Sequence, residues 1–332
     1  MKIVCTELKG STLMHTEEQP YLPADAELSI SYFDKDGDNT KFYEDISDAD
    51  IILNSYVYFG KKELDAMKKC KVISFQSTGY NAVDLEYSAK CGIAVTSIVD
   101  YCTQETAENA ISTMMALQRH ILEYNDMVQK QGIWNAHALK GIFKRVEGQT
   151  MSIIGLGRIG RHVAKIAGQG LGMKILAYDP FIPQELADSV GATLVDFDTA
   201  LAEGDVISIH MNLTPENVHM FNKDAFRKMK KQPIIINEGR GEMISEADLI
   251  WALDEGLVRG AGLDMLELEY PTPEYIANSP LMGRPNVIIC PHSGHKSETS
   301  MALTYQISVE NAIACYEGRY KDAETVRNGV GV

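Results

Sequence analysis

Short β-rich runs alternate with helix-length segments along most of this chain, and this alternation restricts its fold more than any other feature. Several of the runs are continuously apolar, as strands are when helices cover both faces of a parallel sheet. The pattern therefore predicts an α/β fold made of doubly wound parallel sheets. The twelve predicted strands are Lys2–Thr6, Glu27–Phe33, Asp50–Asn54, Lys71–Gln76, Ile93–Ser97, Met151–Ile154, Lys174–Tyr178, Ala192–Val195, Asp205–His210, Pro233–Asn237, Gly260–Asp264 and Asn286–Cys290.

Two longer helical patterns interrupt the rhythm of strands. Apolar residues recur at helical spacing from Gln104 to Ile121, with Thr103 as the expected N-cap. The second pattern runs from about Ser300 to Tyr316, and Gly318 is placed to end it. A chain of 332 residues is longer than most domains with a single hydrophobic core, so we expect two domains. We infer that the chain crosses between them at these two helices. The predicted domains are residues 1–100 with 294–332, which form a discontinuous domain, and residues 101–293.

Composition and charge exclude several classes of protein. The net charge of −15 argues against nucleic acid and anionic membrane as partners, because both require basic patches. No run approaches about 18 apolar residues, so no membrane-spanning helix is expected. The N-terminus lacks the layout of a signal peptide, and the six cysteines include no Cys-x-x-Cys pair. We therefore expect a cytoplasmic protein with reduced, buried thiols.

A glycine-rich turn follows the predicted strand Met151–Ile154 and contains Gly155, Gly157 and Gly160. In a dinucleotide-binding turn the first glycine allows a tight bend and the second allows the backbone to approach a pyrophosphate. The third allows the following helix, here predicted over Arg161–Gly168, to pack on the strand. The pyrophosphate then lies at the N-terminus of the helix, where unpaired N–H groups favour an anion.

Asp179 follows the next predicted strand, Lys174–Tyr178, and supports the same interpretation. A carboxylate there accepts hydrogen bonds from the ribose hydroxyls and repels a 2′-phosphate. The alternative is a turn residue that only precedes Pro180. The complete strand–turn–helix–strand context favours binding of NAD, in preference to NADP.

Two further residues follow buried strands, at the sheet edge where open α/β folds bind ligands. His292 is a candidate acid/base, and Arg240 offers a rigid fork that suits a planar carboxylate. An ordinary surface arginine is the alternative for Arg240. A carboxylate bonded to the imidazole would raise the histidine pKa, and position alone leaves three such partners open: Asp264, Glu267 and Glu269. Five other histidines favour surface or satisfied core roles: His15, His120, His137, His162 and His219.

In this order, the motifs resemble the D-2-hydroxyacid dehydrogenase family, in the branch near glycerate dehydrogenases and C-terminal-binding corepressors. The resemblance covers nearly the whole chain. The residues that carry it are Ser77–Asp84, Asp100–Cys102, Gly155–Gly160 with Asp179, Leu213–Glu216, Gly239–Gly241, Asp264–Glu269 and Pro291–His292.

The resemblance implies particular site residues. The family's catalytic arginine, glutamate and histidine fall on Arg240, Glu269 and His292. Backbone N–H groups of Ser77, Thr78 and Gly79 would bind the substrate carboxylate together with Arg240. The residues implied for the cofactor, including those of the glycine motif, are Gly155, Gly157, Arg158, Ile159, Gly160, Asp179, Thr106, His210 and Asp264.

The implied protein is an NAD-dependent D-2-hydroxyacid dehydrogenase with a small-molecule substrate. In the reducing direction, NADH delivers hydride to C2 of a 2-oxo acid, and His292 protonates the oxygen while Glu269 stabilises the imidazolium. The stretch Ser77–Asp84 looks like that of glycerate dehydrogenases, so hydroxypyruvate or glyoxylate is the expected substrate. The resemblance also implies a homodimer formed through the Rossmann-type cofactor domain, and a smaller flavodoxin-like substrate domain.

The chain departs from the family pattern at a few positions near the expected site. Asn212 stands where the family usually has proline. Glu238 replaces a small residue, which would put a negative charge near Arg240. His295 and Lys296 stand where the corepressor-like branch has an aromatic pair. We hypothesise that His295 or Lys296 makes the substrate pocket more polar, and the alternative is that both lie on the surface.

A protein of another class would carry the same residues. Corepressor-like relatives keep Arg240, Glu269 and His292, so an NAD(H)-sensing interaction protein with little turnover is the alternative function. Oxidation of a small oxyanion such as phosphite is disfavoured by Gln76, because that branch uses a lysine near this point. No metal site is expected, since the sequence around His292 and His295 supplies no clear third ligand.

Overall fold

The structure is a computed structural model, and it describes residues 1–11, 13–139, 143–268 and 271–332. The chain divides into two compact units. The first unit consists of Met1–Tyr101 and Ser297–Val332, and the second unit consists of Cys102–Lys296.

Among the described residues, twelve strands form two parallel sheets. The strands are β1 (Lys2–Leu8), β2 (Glu27–Phe33), β3 (Ile51–Asn54), β4 (Val72–Phe75), β5 (Ala94–Thr96), β6 (Thr150–Ile154), β7 (Lys174–Tyr178), β8 (Ala192–Leu194), β9 (Val206–Ile209), β10 (Ile234–Asn237), β11 (Gly260–Leu263) and β12 (Val287–Ile289). The first unit has five strands in the order β2-β1-β3-β4-β5, and the second has seven in the order β12-β11-β10-β9-β6-β7-β8. Every pairing in both sheets is parallel, which confirms the predicted fold class.

The described α-helices are short apart from three. They are α1 (Thr40–Ser47), α2 (Lys61–Ala66), α3 (Leu85–Lys90), α4 (Thr103–Gln118), α5 (Ile121–Gln131), α6 (Arg158–Lys165), α7 (Gln184–Asp188), α8 (Phe197–Glu203), α9 (Lys223–Lys228), α10 (Glu246–Asp254), α11 (Pro273–Asn278) and α12 (Glu298–Tyr316). Within the described residues, no helix is long and apolar enough to cross a membrane.

Each sheet has an apolar core on both of its faces. In the first unit, Val4 and Ile52 face one core, while Ile3 and Ile51 face the other. The same alternation places Ile154 and Ile153 in the two cores of the second unit. Strands buried on both faces explain why the runs read as continuously apolar.

Each sheet also contains a point where the direction of winding reverses. In the first unit the chain leaves β1 toward β2 and then resumes on the other side at β3. In the second unit it leaves β6 toward β7 and β8 and then resumes at β9. In open α/β sheets, such reversals at the carboxyl ends of strands leave a crevice for a ligand.

The structure corrects the prediction of one helix from Gln104 to Ile121. α4 ends at Gln118, and α5 begins at Ile121. Between them His120 adopts a left-handed backbone (φ 52°), which a continuous right-handed helix cannot contain. Thr103 is the first residue of α4 instead of its cap, because Cys102 occupies the N-cap position.

Two smaller predictions are also wrong. α6 begins at Arg158 and not at Arg161, because the extended backbone of Gly157 already forms the N-cap. Beyond Lys165 the chain continues as a π-helix over Ile166–Gly170. The described residues contain no disulfide, as predicted, but only Cys5, Cys70 and Cys315 are buried. Cys91 is exposed because it directly follows α3, in the turn before β5.

Candidate functional site

The ends of six neighbouring strands lie in one row in the second unit. The paired final residues are Ile289, Leu263, Asn237, Ile209, Ile154 and Tyr178. The next residues along the chain form a second row: Cys290, Asp264, Glu238, His210, Gly155 and Asp179. Backbone hydrogen bonds continue the ladder into this second row, for example from His210 N to Ile154 O (2.8 Å) and from Asp264 N to Asn237 O (3.0 Å).

The three glycines of the motif have three different environments. Gly155 has φ 97°, and a Cβ there would lie 2.8 Å from the backbone nitrogen of Met211. A Cβ on Gly160 would collide with the carbonyl oxygen of Gly155, so this glycine allows α6 to pack on the turn. No atom lies within 4 Å of a Cβ built on Gly157. The tight bend, the close packing and the open approach therefore occur where the sequence predicts them.

Asp179 connects the end of β7 to the glycine turn. Its Oδ2 accepts a hydrogen bond from Leu156 N (2.8 Å), and its Oδ1 accepts one from Phe181 N (3.0 Å). Asp179 is therefore a turn residue, as the alternative interpretation required, and it also lies beside the glycine motif.

His210 lies at the winding reversal, next to Gly155. Its Nε2 is 2.8 Å from Ser208 Oγ, while Nδ1 is buried and has no hydrogen-bond partner among the described residues. Burial lowers the pKa of His210 to about 3, so the imidazole is neutral. A neutral, buried ring nitrogen without a partner is suited to a hydrogen bond from a ligand. Together with the open face of Gly157, it fits a dinucleotide bound across this reversal. Thr106 is buried on α4.

Arg240 and His292 follow β10 and β12. Arg240 Nη1 donates to Gly239 O (2.9 Å). A Cβ on Gly241 would collide with the carbonyl of Leu266, so the second flanking glycine allows a close backbone approach. His292 has a left-handed backbone (φ 50°) and donates its N–H to Asp264 O (2.8 Å). Burial and the positive charge of Arg240 lower the pKa of His292 to about 4.

The region around Asp264 contains a second carboxyl group, that of Glu238. Asn109 Nδ2 donates to both oxygens of Glu238, at 3.0 and 3.2 Å. Asp264 accepts from the backbone N–H groups of Ser293 (2.8 Å) and Gly294 (3.0 Å). A Cβ on Gly294 would lie 2.6 Å from Glu238 Oε2 and 2.8 Å from Asp264 Oδ2, so a larger residue there would displace these carboxyl groups.

Glu238 does not carry the negative charge that the sequence led us to expect. Burial and the nearby charge of Asp264 raise the pKa of Glu238 to about 8. Burial also raises the pKa of Asp264, against the opposing effect of its two backbone donors. Glu238 is therefore mostly protonated at neutral pH. Sequence reasoning missed Asn109, because nothing in a helical pattern pairs it with a residue 129 positions later.

Comparison with known proteins places the second unit in a known family. Residues 111–294, more than half of the chain, match the family model described as "D-isomer specific 2-hydroxyacid dehydrogenase, NAD binding domain". The chain belongs to the D-isomer-specific 2-hydroxyacid dehydrogenase family. The matched region is the NAD-binding domain of that family.

The relatives of this chain are named after several different substrates. It is 35% identical to D-3-phosphoglycerate dehydrogenase of Archaeoglobus fulgidus, over 85% of this chain and 51% of that protein. It is 37% identical to glyoxylate reductase of Thermococcus litoralis, over 78% and 77%. The names hydroxypyruvate reductase and glycerate dehydrogenase also occur, at 34% and 33% identity. The chain spans about half the length of the phosphoglycerate dehydrogenases that it matches.

The fold also matches a solved member of the family. The D-lactate dehydrogenase of Aquifex aeolicus, complexed with NAD and lactic acid, superposes with a TM-score of 0.83 at 26% identity, over 98% of this chain and 99% of that one. The comparison extends over both units, whereas the family model covers the second unit alone.

The remaining predicted residues have different outcomes. Glu269 lies outside the described residues. Ser77, Thr78 and Gly79 belong to the first unit, where Ser77 Oγ donates to Gly79 O (2.7 Å) in the turn after β4. Arg158 and Ile159 open α6.

His295 and Lys296, the two positions that depart from the family pattern after His292, differ in exposure. Lys296 is exposed, so the alternative of a surface position holds for that residue. The His295 ring is only partly exposed, and its centroid is 5.7 Å from that of His292. Asn212 is exposed, and its carbonyl oxygen accepts a hydrogen bond from Asn217 Nδ2 (2.8 Å).

Proposed function

We propose that the chain is a 2-oxo acid reductase of this family that acts on a small polar substrate such as hydroxypyruvate or glyoxylate. The observation that carries the proposal is the row of strand ends in the second unit. Asp264, His210, Gly155 and Asp179 lie in the second row, directly after these strand ends. Arg240 and His292 come two residues after the members of that row that follow β10 and β12. The residues that we propose for the cofactor and for acid–base catalysis therefore share one sheet edge.

Each proposed role follows from the chemistry of the side chain. The guanidinium of Arg240 would bind the carboxylate of the acid. His292 would give its proton to the 2-oxo oxygen in reduction, or take the hydroxyl proton in oxidation. Glu269 would keep the imidazole oriented and raise its pKa. When bound, the nicotinamide cofactor supplies or accepts the hydride.

Turnover tests the proposal and separates it from an NAD(H)-sensing protein. NADH oxidation is measured with hydroxypyruvate, glyoxylate, pyruvate and a longer aliphatic 2-oxo acid. The variant His292→Gln should lose about 10²- to 10⁴-fold in kcat, because it removes the acid/base group. NADH affinity, followed by fluorescence, should remain close to wild type.

The control for this experiment is His137→Gln, which changes an exposed histidine of the same unit. It should retain both activity and NADH affinity. Tight NADH binding by the wild type without turnover of any acid would contradict the proposal and favour the sensor.

His295 supports a polar substrate. It lies beside His292 and is partly buried, where the corepressor-like branch has an aromatic residue. In His295→Trp the ratio of kcat/KM for hydroxypyruvate over the aliphatic acid should fall by about 10-fold, the size of one lost pocket contact. Lys296→Gln is the control, because Lys296 is exposed. An unchanged ratio in His295→Trp would remove this residue from the pocket.

We further propose that two copies associate through the second unit. α5 has no buried residue, although an isolated helix of 11 residues is only marginally stable in water. The segment formed by α5 and the residues after it exposes five large apolar side chains: Ile121, Leu122, Val128, Ile133 and Trp134. A second copy of the chain would cover this segment.

A further inference from the structure

Four side chains with metal-binding atoms lie together in the first unit. Cys5 and Glu7 are two residues apart on β1, so both point to the same face of the sheet. His15 follows in the next loop, and Glu18 precedes the short 3₁₀ helix Gln19–Tyr21. All four residues are buried, with exposed fractions from 0 to 4%. The proposed function uses none of them.

The donor atoms of this cluster are close enough to share one ion. The Sγ of Cys5, a ring nitrogen of His15 and a carboxylate oxygen of Glu18 all lie within 4.8 Å of one another. Bonds from zinc to sulfur, nitrogen and oxygen are about 2.0–2.3 Å, so two of them span at most about 4.6 Å. The observed separations therefore require only a small adjustment of side chains.

Hydrogen bonds within the cluster leave one oxygen unused. Glu18 Oε1 is 2.7 Å from His15 Nδ1 and also accepts from Gln76 Nε2 at 2.7 Å. Glu18 Oε2 is buried and has no hydrogen-bond partner among the described residues. A buried carboxylate oxygen without a partner is unfavourable, and an ion pair between His15 and the glutamates does not satisfy it. A bound cation would give this oxygen a partner.

The position in the fold is one where α/β sheets bind ligands. The winding of the first sheet reverses between β1 and β3, and β1 continues past the last residue of β3 that pairs with it, Asn54. Glu7 lies in this continuation, at the carboxyl edge of the reversal. His15 also has a left-handed backbone (φ 50°), which is uncommon outside glycine and persists only where the surroundings hold it.

We propose that Cys5, His15 and Glu18 bind one divalent ion of the zinc class, and that Glu7 orients His15. Thiolate, imidazole and carboxylate are together the donor set that zinc prefers. Glu7 Oε1 lies 3.1 Å from His15 Nε2, and metal-bound histidines usually donate their second ring nitrogen to such a carboxylate. The ion would hold the loop of His15 against β1.

Metal content of the reduced, untagged protein tests the proposal. After removal of metal with a chelator and reloading with Zn²⁺, the wild type should retain one equivalent by mass spectrometry. Reloading with Co²⁺ should produce the near-ultraviolet absorption of a cobalt–thiolate bond. Cys5→Ser should lose the absorption and the tightly held equivalent, while Glu7→Gln should bind Zn²⁺ about 10- to 100-fold more weakly.

Cys70→Ser is the matched control, because Cys70 is a buried free thiol of the same unit that belongs to the opposite core. It should retain the equivalent of zinc. Circular dichroism and NADH binding report whether each variant folds, and Glu18→Gln replaces Cys5→Ser if the latter does not. The proposal is overturned if the wild type holds no more Zn²⁺ than the folded ligand variant, or if Co²⁺ gives no thiolate absorption.

Discussion

Glu238 and Asp264 are neighbouring carboxyl groups at the ends of two adjacent strands, and their hydrogen-bond donors differ. Asp264 accepts two backbone N–H groups, whereas among the described residues Glu238 accepts only from the amide of Asn109. Two buried carboxylates this close disfavour double ionisation, and the group with fewer donors keeps the proton. This residue-scale arrangement explains how the chain accommodates an acidic side chain at a position where the family resemblance predicts a small one.

The raised pKa of Glu238 predicts how stability depends on pH. The pKa is about 8 in the folded protein and 4.5 in the unfolded chain, so the folded state binds more protons between these values. The stabilisation is complete below pH 4.5 and is lost as the pH rises through 8. Glu238→Gln cannot ionise, so its Tm should exceed that of wild type by an amount that grows from pH 5 to pH 8. Each kcal/mol of difference corresponds to about 2–4 °C.

The control for this prediction is Glu255→Gln, since Glu255 is exposed at the end of α10. Its Tm difference from wild type should not change with pH. A constant difference for Glu238→Gln across the same range would mean that Glu238 is ionised in the folded protein.

Residue-scale features were the least accessible from sequence. Arg240 and His292 could be selected because each follows an apolar strand, and that position can be recognised from the sequence alone. The pairing of Glu238 with Asn109 and Asp264 could not be predicted, because it depends on how α4 packs on the sheet. The cluster of Cys5, His15 and Glu18 was also missed, because the loop that contains His15 does not follow a periodic pattern.

At the scale of elements, the turn from β6 into α6 contains two glycines with different roles, one in packing and one in the approach to a ligand. Gly160 is needed for packing, because a Cβ there meets the backbone of Gly155. Gly157 has open space around it and a backbone (φ −65°) that alanine can adopt. Only its approach to a ligand would therefore require glycine at this position.

This difference predicts two outcomes. Gly157→Ala should weaken NADH binding by about 10-fold or more, equivalent to about 1.4 kcal/mol, and leave Tm near wild type. Gly160→Ala should lower both Tm and NADH affinity, because it displaces α6 from the strand. Titration by NADH fluorescence and thermal unfolding measure the two quantities.

Gly170→Ala is the control, since no atom lies within 4 Å of its Cβ position and it is far along the chain from the turn. Both its Tm and its NADH affinity should be unchanged. If Gly157→Ala binds NADH as tightly as wild type, the pyrophosphate does not pass this part of the backbone.

At this scale, hydrophobic periodicity predicted the strands well but missed one break between two helices. Twelve strands were predicted and the described residues contain twelve, because the central strands, which are buried on both faces, need unbroken apolar runs. The break between α4 and α5 was missed, since the apolar spacing continues through Ile121 while the backbone of His120 turns left-handed. A local backbone reversal leaves no trace in hydrophobic spacing.

At the scale of the whole molecule, the order of elements determined the fold class and the motifs determined the family. Both could be read from sequence because α/β alternation and glycine spacing are properties of consecutive residues. Strand order within each sheet depends on long-range pairing, and so does the row of strand ends that brings the candidate residues together.

Association between copies belongs to this scale, and the exposed apolar segment from Ile121 to Trp134 predicts its outcome. The wild type should sediment as a dimer of the 36.8 kDa chain over a range of concentrations. The double variant Ile121→Asp/Trp134→Asp should sediment as a monomer, because burying two uncompensated carboxylates in an interface is strongly unfavourable. Phe181→Asp is matched in exposure, at 88% against 89% for Trp134, and should leave the dimer intact. A monomeric wild type, or a dimer that survives both substitutions, would show that this segment is not the interface.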